Sequence, residues 1–205
     1  MESMDQNHDT DINEDHSLNL SLTLGTPPSS RLFPSYPNPN SCPKPQSIPQ
    51  PYPWATTRRA TLHTLHHILS LNLTTITDTF RCRRCDSVKP VMYNILEKYN
   101  EVINYIINNR DMMFNRAAPE WLSPRLPDCH MCGGAGSMRP VIAVKKRHIN
   151  WLFLLLGQTL GCCNLDQLKY FCKHSKNHRT GSKSHVLYLT YLGLCNQLDP
   201  SFPCF

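Results

Sequence analysis

The chain has 205 residues, with 17 prolines, 10 cysteines and a formal net charge of +6. That length bounds it to one domain of ordinary size, or to a domain with a tail. The polar, acidic run from Met1 to Asp15 excludes an ordinary secretory signal peptide, and the longest apolar run, from Trp151, is too short to span a bilayer. The thiols are therefore expected in a reducing, intracellular compartment, where paired cysteines usually mean metal.

Charge is unevenly spread. Six acids against two bases give residues 1–53 a net charge of −4, while nine acids against nineteen bases give residues 54–205 a net charge of +10. Ten of the prolines fall within residues 1–53, mixed with Ser, Asn and Gln. Such a segment buries too little apolar surface to offset its ordering entropy, so it reads as a disordered tail. It holds one apolar island, in which Leu18, Leu20, Leu22 and Leu24 alternate strictly and share one side of an extended chain. An isolated strand of this kind needs a partner edge or groove, which marks it as a short binding motif.

The folded domain is expected over 54–205. Thr57 is expected to cap a helix running to Leu71, with Leu62, Leu65, Ile68 and Leu69 inward. The β-branched run from Thr74 to Arg81 predicts a strand leading into Cys82. Val88 to Ile95 predicts its return, with Pro90 confining that strand to an edge. Leu96, Tyr99, Val102, Ile103, Ile106 and Ile107 repeat at helical spacing and predict a helix to Phe114. A proline-rich loop then delivers Cys129. Pro140 to Val144 predicts a strand and Asn150 to Leu160 a buried helix. Asn164 is expected to cap a helix to His174, and a last helix should cover Ser184 to Leu198. The sum is an α+β fold: small zinc-ribbon-like β elements with several packed helices.

Two Cys-x-x-Cys pairs carry the strongest chemical signal. Cys82/Cys85 and Cys129/Cys132 each offer two thiolates from one tight turn, and together they complete the four-coordinate shell of structural Zn²⁺. Gly133 supplies the positive φ that such a turn needs. Arg81, Arg83 and Arg84 flank the first pair and would favour the thiolates. The 43 residues between the pairs exceed finger spacing, so a helix must be inserted between the two turns. No βαβ context supports a redox Cys-x-x-Cys. No His-x-Glu accompanies the Pro127-to-Cys132 segment, which excludes a nucleobase deaminase.

Cys162, Cys163, Cys172, His174 and His178 form a second group of candidate ligands. On a continuous helix Cys172 and His174 point about 200° apart, so they can share an ion only where the helix ends. If that group held three ligands and a water, it is where a zinc enzyme would hide. From Gln167 to Leu198 there is no acid, and Lys173, Lys176 and Arg179 make a basic stretch. Lys145, Lys146 and Arg147 make a shorter one. Both are candidate phosphate contacts, although neither interleaves the aromatics of a single-strand stacking surface. Zinc-dependent nucleic-acid binding is thus an alternative to an interaction module.

Several segments resemble a plant-specific family of uncharacterised proteins. They are Arg81-Cys82-Arg83-Arg84-Cys85, Leu126 to Cys132, Ile149 to Gln158, Leu168 to His174, and Asn177-His178-Arg179-Thr180-Gly181. The resemblance runs from Pro53 to Pro200 and implies no catalytic residues. The leucine island resembles the Leu-x-Leu-x-Leu repression motif of plant transcriptional regulators. That likeness implies a nuclear adaptor or repressor whose partner is a Topless-type corepressor.

Overall fold

The computed structural model describes residues 47–202. The tail with its leucine motif, and Cys42 and Cys204, lie outside the described residues. Among those described, six helices and three strands follow one another. They are α1 (Leu65–Ser70), β1 (Thr75–Cys82), β2 (Val88–Asn94), α2 (Ile95–Met113), α3 (Pro119–Leu122), β3 (Met138–Pro140), α4 (Trp151–Leu156), α5 (Leu165–His174) and α6 (Lys183–Leu198). Two 3₁₀ turns, Lys146–His148 and Leu160–Cys162, flank α4. The fold is α+β. None of these helices is long and apolar enough to cross a membrane.

The three strands form one antiparallel sheet in the order β2-β1-β3. On β1, Ile76, Phe80 and Cys82 alternate inward while Thr77 and Arg81 face water, the period of a sheet with one covered face. Pro90 sits opposite Thr79 on the edge strand β2, where a missing N–H costs no ladder bond. The covered face meets α4, a helix whose six residues are all buried. Phe153 of α4 packs edge-on against Phe80 and stacks on Tyr93. Beyond α4, Trp151 leans on Phe171 of α5, and Trp121 of α3 stacks on Tyr191 of α6 with ring centroids 3.7 Å apart. Each rigid aromatic thus ties one helix to the next.

Packed chain extends upstream of Trp54. Ile48 is buried and its N–H donates to Thr57 O. Tyr52 stacks on Trp54, and the Trp54 indole N–H donates to Asn150 Oδ1. Asn150 caps α4 with that same oxygen and donates to Asp78 of β1 with its nitrogen. One amide therefore joins the upstream strap, the sheet and the central helix.

Four expected elements are corrected. The first helix starts at Leu65 under the side chain of Thr64, because Leu62 is held in a bridge with Ala55. In α2, Leu96 and Ile107 face solvent and Ile95 takes the inward place, completing the 95–99–102–106–113 stripe. The third strand is Met138–Pro140, since it is Met138 that points into the core, while Val144 is 97% exposed. The central helix stops at Leu156. Gln158 adopts φ 51°, its N–H returns to Leu155 O, and the Thr159 N–H returns to Leu154 O. That is a left-handed helix terminator built on glutamine where glycine is usual.

Candidate metal centre

Cys82 is the last residue of β1, and the turn that carries Cys85 leads directly into β2. Cys129 and Cys132 lie in the loop ahead of β3. The β1–β3 ladder brings the two turns together. Cys82 pairs with Met138, and the Arg83 N–H extends the ladder one step by donating to Ser137 O.

The turns repeat one backbone pattern. The Cys82 N–H donates to Ser87 O and the Asp86 N–H to Cys82 O; the Cys129 N–H donates to Gly134 O and the Gly133 N–H to Cys129 O. The fifth residue of each turn is left-handed, Asp86 at φ 57° and Gly133 at φ 64°. Glycine adopts this freely and aspartate is among the few side chains that tolerate it, so the first turn achieves without glycine what the second does with one.

The four sulfurs converge. Cys82 Sγ lies 3.6 Å from Cys132 Sγ, and Cys85 Sγ lies 3.6 Å from Cys129 Sγ. All four sulfurs are within 4.8 Å of one another. Cys82 and Cys129 are buried, whereas Cys85 and Cys132 face the surface. None of the four forms a disulfide. The cage is of a size and donor chemistry to hold one tetrahedral metal ion.

Charge on the sulfurs is stabilised by short dipoles. The Ser137 hydroxyl, 3.3 Å from Cys82 Sγ, is the main cause that lowers this thiol to about 6; burial opposes it, and the N–H groups of Arg84 and Cys85 assist. At Cys129 the Ser87 hydroxyl, at 3.1 Å, leads the lowering, followed by the N–H groups of Cys132 and Met131. Cys132 receives the Gly134 N–H, yet burial and the three neighbouring thiols outweigh it and push the group up to about 11. Without a cation the four sulfurs cannot all be thiolates at this spacing; a divalent ion at the centre reverses that. The expectation that arginines hold the thiolates is corrected, because hydroxyls and backbone N–H groups do so. Arg84 instead lies over the second turn, where a Cβ on Gly134 would stand 2.8 Å from its Cδ. Ser87, Ser137 and Asp86 are the site residues that sequence reasoning missed.

The second group of candidate ligands is not assembled. Cys163 is wholly buried and burial pushes its thiol up to about 12. Cys172 is sealed in the core against Thr190 and Val186 O. His174 packs on the Tyr170 ring, and the His178 ring bonds Thr180. Cys162 lies half-buried beside a separate cavity. Among the described residues the four-cysteine cage alone brings three or more such ligands together.

Lys146 and Arg147 sit on the 3₁₀ turn before α4 with Lys145 just ahead of it, and Lys173, Lys176 and Arg179 are exposed at and beyond the end of α5. Arg147 and Arg59 lie within electrostatic reach of the Tyr170 hydroxyl on α5, where they oppose the rise that burial causes.

No curated protein and no solved structure matches the chain. The signature described as a domain of unknown function, DUF7086, matches residues 65–198, from the first residue of α1 to the last of α6 and across all four ligand cysteines. With more than half of its length matched, the chain belongs to the DUF7086 family.

Proposed function

We propose that the protein is a non-enzymatic, zinc-stabilised interaction module that acts as an adaptor or transcriptional repressor in the plant nucleus. The observation that carries the metal part is the sulfur cage. A tetrahedron with Zn–S arms of about 2.3 Å has edges of about 3.8 Å, and two of the sulfur pairs stand 3.6 Å apart. Four protein ligands fill every position, and a catalytic zinc keeps one open for water or substrate, which supports a structural role. Zinc would act through folding, by tying the β1–β2 turn to the loop ahead of β3.

The nuclear part rests on the leucine motif at Leu18, Leu20, Leu22 and Leu24 and on the basic domain behind it. The test has two readouts. Elemental mass spectrometry on the protein purified without added metal is expected to give about one zinc per chain. Calorimetry with a Topless-type corepressor domain is expected to show binding that vanishes when the four leucines become alanine. Zinc with unchanged binding in that variant would remove the corepressor reading and leave the metal reading intact.

The juxtaposition of Arg59, Arg147 and Tyr170 supports a second reading, zinc-dependent nucleic-acid binding. Phosphate contacts release counterions, so this reading requires binding that weakens steeply with salt. A gel-shift titration without salt-sensitive binding at low ionic strength would eliminate it.

A further inference from the structure

A cavity of about 410 Å³ opens in the seam between the sheet and the helices. One wall is Gly136 and Arg139, from the loop and strand after the second cysteine turn; the other is Gly161, Cys162 and Lys183, from the 3₁₀ turn after α4 and the start of α6. Leu122, Ser123, Pro124 and Leu126 line its length. Gly161 keeps the floor low, since a Cβ there would collide with Trp121 O, so the 3₁₀ turn packs directly on α3.

The charges on this cavity are one-sided. Among the described residues its two charged lining residues are both cations, and no acid lines it. Among the described residues neither Arg139 nor Lys183 forms an ion pair. Lys183 spends one proton on Gly161 O at 2.7 Å, which fixes its ammonium at the floor with two donors left. Both cations act on the Cys162 thiol: burial pushes that thiol up, and Arg139 and Lys183 pull it down. The two positive groups, from separate walls, thus both lie within electrostatic reach of the cavity's thiol. Behind Lys183 runs a 16-residue helix whose first turn has no acid to complement its positive end. Arg81 stands opposite Arg139 in the β1–β3 register, a like-charge pair that costs energy unless an anion lies near.

We propose that this cavity binds a small organic phosphate monoester, its dianionic head between Arg139 and Lys183 and its uncharged body along Leu122, Pro124 and Leu126. Two cations without an ion pair among the described residues match a dianion, and a guanidinium fork with a fixed ammonium is a usual donor set for phosphate. The volume lies within the range of small-molecule sites and exceeds what a bare phosphate fills. The site is separate from the cysteine cage and does not depend on the metal's identity.

The test is a ligand-observed NMR titration of the full-length, metal-loaded protein with phenyl phosphate as the probe. Saturable binding is expected, weakened about tenfold or more in Arg139→Gln and in Lys183→Gln and largely kept in Arg139→Lys. Bound phenyl phosphate should slow alkylation of Cys162 by iodoacetamide, read on the Cys162 peptide by tandem mass spectrometry. Benzoate, a monoanion of similar shape, should bind at least tenfold more weakly, and phenol not at all. Absence of saturable binding would overturn the proposal. So would binding that both glutamine variants retain, or equal affinity for benzoate. Arg139 is exposed on its strand, so its variant tests the charge even if Lys183→Gln, which loses the bond to Gly161, fails to fold.

Discussion

At the sheet end of the molecule, Cys82, Cys85, Cys129 and Cys132 point at one another, take N–H and hydroxyl hydrogen bonds, and stay half open to water. At the helical end, Cys163, Cys172 and Cys195 are buried among leucines and aromatics, and burial raises the thiols of Cys163 and Cys172. The same side chain is a candidate metal ligand in one region and a small apolar filler in the other. The surroundings account for the difference. A sulfur that meets backbone N–H groups and serine hydroxyls tolerates negative charge; at Cys172 burial outweighs the one hydroxyl, of Thr190, that favours the charge. The sheet end is correspondingly thin, with a three-residue β3 and an exposed outer face. The helical end is held by stacked rings.

Removing the metal should separate the two regions most sharply. Chelation, or Cys129→Ser, is expected to take bound metal from about one per chain to none. Amide exchange should then rise at the ladder of β1 and β3, including the N–H groups of Arg83 and Val141, while α6 keeps its protection. Equal loss at both ends would show that one cooperative unit spans them. The converse variant is Trp121→Ala. Trp121 is 1% exposed, stacks on Tyr191 and donates to Gln158, so its loss should cost about 3–5 kcal/mol in denaturant unfolding while metal content is unchanged.

A smaller effect tests the groups around the sulfurs. Ser87→Ala and Ser137→Ala each remove a hydroxyl that lies about hydrogen-bond distance from the thiols but leave all four ligands. Each is expected to weaken the metal about 10–100-fold in competition with a chromogenic chelator, with the fold kept. Unchanged affinity in both would assign the charge stabilisation to backbone N–H groups alone.

How much of this was legible in the chain depends on where the signal lies. Cys82/Cys85 and Cys129/Cys132 announce themselves because both members of each pair sit within one turn, and a turn is local. So does α5, whose Asn164 and Gln167 form a reciprocal cap within four residues. Ser87 and Ser137 were illegible because their role arises only when β1 and β3 pair. Asp86 does the work that Gly133 does openly. The end of α4 was misplaced because Gln158 takes a conformation that its side chain does not advertise. The second group failed for the opposite reason: its members lie close in sequence, but a helix directs neighbours to different sides, placing Cys172 in the core and His174 against Tyr170. The cations of the seam come from β3 and α6, 44 positions apart, and no spacing rule joins them.

The gentlest probe of the comparison is pH, because the two kinds of cysteine respond to opposite excursions. Ligand thiolates are lost as pH falls, so acid should release the metal and loosen the sheet end first. Cys163 behaves in reverse. Its folded thiol is pushed up to about 12 from an ordinary value of 9.0. Below pH 9 both states hold the proton and the shift has no effect. Between 9 and 12 the unfolded chain ionises while the native one does not, so the unfolded state gains and stability falls as pH rises. At pH 10 that loss amounts to about 1 kcal/mol. Cys163→Ala removes this term. Its urea-derived stability should therefore fall less between pH 7 and pH 10 than that of the unsubstituted chain, whatever packing it loses at neutral pH. Tyr191, whose hydroxyl is also pushed up, chiefly by burial, is present in both proteins, and only the last-ranked part of its shift, the part due to Cys163, fails to cancel. An equal fall in the two proteins would mean that Cys163 meets water in the native state, and the contrast between a sealed helical end and an open sheet end would fail at that residue.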